Sequence, residues 1–155
     1  MKKLVLVFIF ISVFSCKTKV PQKKTNTFLL SDSWILNKVS YLEANFHDKT
    51  ILFNDATNQC FKDSRWQFNT TNNDGTYSIN DLYCTIGKRE ISYRFLKTEE
   101  KTGYSDIVLK TKNKAGKWKH YRIKITAFSH NTMQWQYVVY IKNKRHTINL
   151  QFEKA

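Results

Sequence analysis

Residues 117–141, KWKHYRIKITAFSHNTMQWQYVVYI, decide the fold. In the first half Tyr121, Ile123 and Ile125 share one parity, and Trp118, Arg122 and Lys124 share the other. In the second half Met133, Trp135, Tyr137, Val139 and Ile141 all fall on one parity. A period of two places alternate side chains on opposite faces of an extended chain, so both halves read as long strands with one apolar face. The polar residues Ser129, His130 and Asn131 between them make a short turn.

The same pattern continues in both directions. Upstream, residues 90–97 (EISYRFLK) carry Ile91, Tyr93 and Phe95 on one side, with Gly103 in the turn after them. Residues 104–111 hold Ile107 and Leu109, and NKAG at 113–116 is a further turn. Downstream, 142–145 turns the chain and 146–152 closes it with Ile148, Leu150 and Phe152. Nearer the N-terminus, 34–42 (WILNKVSYL) alternates, with Trp34 and Leu36 on one parity and Ile35, Val39 and Tyr41 on the other. A short apolar run at 50–53 precedes NDATNQCFKD at 54–63, which lacks alternation and predicts a helical turn or loop. Residues 64–69 present Trp66 and Phe68 on one face, NNDG at 72–75 is a strong hairpin signal, and 76–80 return with Tyr77 and Ile79. No segment sustains a 3.6 period, so nothing supports a parallel sheet with crossover helices. The expectation is an all-β, antiparallel up-and-down meander of about eight strands. Closure into a barrel removes its exposed edges, with an open β-sandwich as the alternative.

The N-terminus predicts the compartment. Lys2 and Lys3 precede an apolar or small stretch running to Ser15. It is too short for a bilayer core, which needs about 20 apolar residues, but it suits the hydrophobic region of a secretory signal. Val13-Phe14-Ser15-Cys16 looks like a lipobox, with cleavage before Cys16 and lipid attached to it; Phe14 is larger than the usual residue there. The expected organisation is a signal peptide over 1–15, a lipidated Cys16 with a lysine-rich tether over 16–27, and one domain over 28–155. The tether holds Pro21, the only proline, and has no apolar periodicity. Lys17 is not the aspartate associated with inner-membrane retention, so the expected location is the bacterial cell envelope, on the outer membrane.

Of three cysteines the anchor uses one. Cys60 and Cys84 are left, and in an oxidising compartment they most simply form a disulfide, two free buried thiols being the alternative. Closing a loop of that length stabilises a fold by about 3 kcal/mol in the chain-entropy picture. Charge is lopsided, with 26 basic residues against 12 acidic and a formal net charge of +14. In a cytosolic protein this would suggest nucleic acid. Outside the cytoplasm the polyanions are lipid headgroups and surface polymers, and no nucleic-acid partner is expected. No block of five like charges makes a basic arm.

The run Leu30-Ser31-Asp32-Ser33-Trp34-Ile35-Leu36 resembles the first-strand motif Leu-x-Gly-x-Trp-x-Leu of lipocalin-like domains on bacterial lipoproteins, with Asp32 where glycine is usual. The stretch from Cys60 through Trp66, Gly75-Thr76-Tyr77 and Cys84 is similar to their cysteine-bracketed hairpin, and Thr147-Ile148-Asn149-Leu150-Gln151-Phe152 to their last strand. The resemblance covers 28–152. It implies a barrel with a cavity for a small apolar or amphipathic molecule. It also implies that Trp34 plugs the closed end and that an arginine stacks on it. Arg145 is the candidate by position and Arg122 the alternative.

Templates for catalysis are absent: the sequence has no HExxH, no glycine-rich phosphate loop and no GxSxG elbow. His47, His120, His130 and His146 are dispersed and suggest no metal site, and no cofactor is expected. Trp66, Phe68, Tyr77, Tyr93, Phe95, Trp135 and Tyr137 lie on inward-reading parities, where they either fill a small barrel or line a cavity. The leading expectation is a monomeric, non-catalytic, lipid-anchored barrel that binds a hydrophobic or amphipathic small molecule. The competing one is a solid-core module that docks a polyanion or an acidic envelope partner through its basic face.

Overall fold

The computed structural model describes residues 30–43, 49–98, 105–113 and 115–155. The expected signal peptide, Cys16 and tether lie outside these residues. Eight strands form one closed antiparallel barrel: β1 (Asp32–Tyr41), β4 (Ser64–Asn69), β5 (Asp74–Ile79), β6 (Gly87–Thr98), β7 (Ser105–Lys112), β8 (Trp118–Phe128), β9 (Thr132–Ile141) and β10 (Lys144–Lys154). Each pairs with its neighbour in sequence, and β1 closes the ring by pairing with both β4 and β10. Between β1 and β4 sits an insertion of two short strands, β2 (Ile51–Leu52) and β3 (Ala56–Thr57), and one helical turn, α1 (Asn58–Phe61). The barrel, its core and its disulfide all lie within 30–155.

Two β-bulges explain why parity alone misleads in β1 and β8. In β1 the register shifts between Leu36, opposite Phe152, and Lys38, opposite Gln151. Asn37 is the extra residue, and after it the inward parity switches. Trp34, Leu36, Val39 and Tyr41 therefore all face the core, although they belong to two different alternations in the sequence. In β8 the shift between Ile125 and Ala127 leaves Thr126 extra, so Phe128 turns inward after Tyr121, Ile123 and Ile125.

The barrel has two unlike ends. At the lower end Leu30 and Trp34 are buried, the Trp34 indole N–H donates to the Ser31 carbonyl at 3.0 Å, and the Phe128 ring lies 5.8 Å from Trp34. Arg145 does not stack on Trp34. It lies near the opposite end of β10, exposed and paired with Tyr140, whereas Trp34 pairs with Lys154. Nine residues of strand separate those positions, roughly 30 Å. Arg122 is exposed too and is engaged with Asp106 at 3.0 Å, so neither arginine lies on Trp34, whose ring neighbour is Phe128. Asp32, where glycine was expected, has φ 81°, a backbone region that favours glycine.

The NNDG hairpin forms, but its turn lies at 70–73 and Gly75 is already inside β5, opposite Phe68. A Cβ at Gly75 would sit 2.0 Å from the Gln67 carbonyl oxygen, so glycine permits the close approach of β4. Replacing Gly75→Ala is expected to cost about 2 kcal/mol or more of stability, read as a lowered urea midpoint.

Candidate functional site

The insertion plugs the upper end of the barrel. Phe53 and Asn54, at the tip of the β2–β3 hairpin, both have positive φ, 51° and 53°, as a two-residue primed turn requires. For phenylalanine this backbone is strained. The turn throws the Phe53 ring into the bore, 5.4 Å from Phe61, 5.7 Å from Trp66, and 5.2 Å from both Tyr121 and Tyr137. Burial among rings is what holds the turn in place.

Next to Phe53, Asp55 reaches an arginine inside the barrel. The Arg89 Nε–H donates to Asp55 Oδ2 at 3.0 Å, with side-chain exposures of 6% and 1%. The Tyr77 hydroxyl donates to the same oxygen at 2.9 Å, and a second Arg89 nitrogen donates to the Thr85 carbonyl at 2.9 Å. The Cys60–Cys84 disulfide then joins α1 to the β5–β6 loop. The plug is thus fixed by a buried ion pair on one side and a covalent bridge on the other.

The seven aromatic candidates are gathered by the fold, and they meet ring to ring. Trp66 stacks on Tyr77 at 4.8 Å and meets Trp135 edge-on at 5.8 Å. Phe68 contacts Trp135 and Tyr93 at 5.8 and 5.7 Å, and half-buried Phe95 contacts Tyr93 at 5.8 Å. Five of these form the heart of the core, with Phe95 packed against its edge; Tyr137, the seventh, reaches an opening.

That opening is a seam in the barrel wall. The pairing of β8 with β9 runs only from Phe128↔Met133 to Lys124↔Gln136, although β8 begins at Trp118 and β9 ends at Ile141. Above that point the strands part. Above the β1–β4 pairing the insertion packs against β1 and leaves a smaller cleft of about 520 Å³ between Asn37, Lys38 and Val39 and Asn58, Gln59 and Lys62, while the Asp63 N–H, after α1, donates to the Leu36 carbonyl at 2.7 Å. At β8–β9 two clefts of about 660 and 670 Å³ meet, and Tyr121, Tyr137 and Val138 line both. The first, toward the plug, is completed by Phe53, Ile51, Lys49, Lys119 and Lys142. The second, on the outer face, is bordered by His120, Arg122, Lys124 and Arg145.

The seam therefore has an aromatic floor and a basic border. The Tyr121 and Tyr137 hydroxyls are buried without a hydrogen bond of good geometry, near Thr111 and the Phe53 backbone respectively. Burial pushes Tyr93 and Tyr121 up to about 12 and raises Tyr77 and Tyr137 as well. All four phenols are neutral donors at physiological pH. Among the described residues no three His, Cys, Asp or Glu side chains come together as metal ligands.

Phe53, Asp55 and Arg89 are not among the residues singled out from the sequence. Arg89 shares its parity with Ile91, Tyr93 and Phe95, and a charge on an inward position demands a buried partner. The sequence thus carries a signal for Arg89. Phe53 and Asp55 sit where alternation fails and give none. Comparison with family models, with curated proteins and with solved structures finds no match for this chain.

Two outcomes are expected. Arg89→Met, which takes the cation away from the buried Asp55 carboxylate and leaves it the Tyr77 hydroxyl, lowers stability by about 3 kcal/mol, and adding Asp55→Leu restores much of it in denaturant titrations. For the phenols, the folded value lies above the ordinary 10.0, so their contribution is whole below pH 10 and lost as pH rises toward about 12. The melting temperature should fall across that window.

Proposed function

We propose that this chain is a lipid-anchored envelope lipoprotein whose lipocalin-like barrel binds a small amphipathic molecule, without catalysis, at the β8–β9 seam. The observation that carries the reading is the unfilled gap floored by Tyr121, Tyr137 and Phe53 and bordered by Lys49, Lys119 and Lys142. An apolar chain lying against the rings is removed from water, worth about 25 cal/mol per Å². A negatively charged or hydrogen-bond-accepting head suits the lysines and the neutral phenols. An eight-stranded barrel has room for core side chains or one small ligand. Here the bore is occupied by rings, so the ligand enters sideways at the seam. Export and anchoring rest on the charged start, the apolar stretch and Cys16.

The basic outer face over β8 to β10, with His120, Arg122 and Arg145, favours the second reading, in which the protein docks an acidic envelope partner. Salt separates the two, because exposed charge is screened and apolar burial is not.

Native mass spectrometry of the disulfide-intact domain 28–155, together with titration by a fluorescent fatty acid, tests the first reading. A solvent-removable adduct or saturable uptake that persists in high salt is expected. Lys119→Glu and Tyr137→Phe should each weaken uptake several-fold. A clean apo mass with no uptake would overturn the seam as a ligand site.

A further inference from the structure

Among the described residues, every exposed large apolar side chain lies at the plugged end of the barrel. Leu82, Tyr83 and Ile86, at 85%, 98% and 54% exposure, form the β5–β6 loop beside the disulfide. Trp118 begins β8, and Val138 and Tyr140 lie in the last four residues of β9. Leu42 comes directly after β1, and Ile51 is on the plug. The described turns at the other end, 70–73 and 129–131, are Thr, Asn, Ser and His. Scattered exposed apolar residues need no explanation, but gathering all of them around one rim does.

Between these side chains stand exposed cations: Lys49, Lys62, Lys88, Lys117, Lys119 and Lys142. The acidic groups at this end are fewer: Asp63 is exposed, Asp55 is buried on Arg89, and Asp81 in the β5–β6 loop accepts from the Tyr83 N–H at 2.8 Å. Glu43 accepts from the Thr147 N–H at 3.1 Å, and Glu90 pairs with Lys112 at 3.1 Å. The rim thus combines Trp and Tyr, which settle at a lipid–water boundary, with aliphatic tips that reach into acyl chains and lysines that meet headgroup phosphates.

We infer that this rim docks on an anionic lipid bilayer, with the β5–β6 loop and Trp118 inserted at the headgroup level. The inference stands on the distribution of exposed side chains and does not require the seam to hold a ligand. It does place the mouth of the seam at the lipid surface. The geometry also suits an N-terminal anchor. The chain enters β1 at the lower end, and residues 16–30 can span at most about 50 Å. A ten-residue strand such as β1 is about 33 Å long. The rim can therefore reach the membrane that would hold the anchor.

Flotation of the disulfide-intact domain 28–155 with vesicles of equimolar phosphatidylglycerol and phosphatidylcholine tests this directly. Three of the four tryptophans are buried (Trp34 2%, Trp66 0% and Trp135 0%), so quenching by brominated lipid reads Trp118. Expected are co-flotation that weakens but persists in salt, quenching that Trp118→Phe abolishes, and at least tenfold weaker binding for Leu82→Ser/Tyr83→Ser. Both of those side chains are exposed, so circular dichroism of the double variant should match the parent. Failure to float at low salt, flotation without quenching, or a double variant that binds like the parent would each overturn the inference. The last two would move the contact to another face, and none of the three bears on uptake of a soluble fatty acid at the seam.

Discussion

The bore of an eight-stranded barrel is a space that side chains must fill or a ligand must occupy, because interiors pack to near-crystalline density. Strands alone do not fill it here. Trp66, Tyr77, Phe68, Trp135 and Phe152 pack its middle, and Trp34 with Phe128 closes one end. The other end is completed by Phe53, which arrives from outside the barrel's own strands. Much of the remaining architecture serves that one ring. The strained turn aims it, Asp55 on Arg89 and Tyr77 fixes the turn, and the Cys60–Cys84 bridge ties down the helical turn beyond it.

This division explains what could be read from residues alone. Strands β7 to β10 keep to period-two patterns nearly to their ends, and their inward faces are those that alternation names. The order and antiparallel sense of the sheet derive from short turns between such strands, and the cysteine pair was legible as arithmetic. Bulges were not legible. Asn37 and Thr126 have nothing in their chemistry that marks an extra residue, yet each reverses the parity of the strand residues after it. A plug is harder still, because its placement depends on the space left in a bore assembled from residues up to a hundred positions away. The arginine expected on Trp34 failed for a related reason: a role borrowed by chain position ignores that an eleven-residue strand carries it from one end of the barrel to the other.

The candidate site was half visible. Its floor includes Tyr137, which stood among the inward aromatics. Its existence, however, depends on where two strands stop pairing, and Tyr137 to Ile141 look as strand-like as the paired half of β9. A barrel with a parted seam reintroduces the edges that closure removes. One such gap, above β1–β4, is narrowed by the protein's own insertion. At β8–β9 the insertion contributes only Phe53 and its neighbours to one wall.

The two gaps and the exposed rim share one end of the molecule, and that coincidence has a physical basis. The insertion can occupy only one gap, since Asp55 and Cys60 hold it against β5 and β6. The wall across from that anchorage is left open, and Lys49, Lys119 and Lys142 border the opening. Apolar side chains at such a border would be expected to turn inward and close it. Val138 and Tyr140 instead stay on the outward parity of β9, at the same end of the barrel as Trp118. An open seam and an apolar rim at the same height are each costly in water. Together they suit a surface that meets the same lipid or amphipath from both sides.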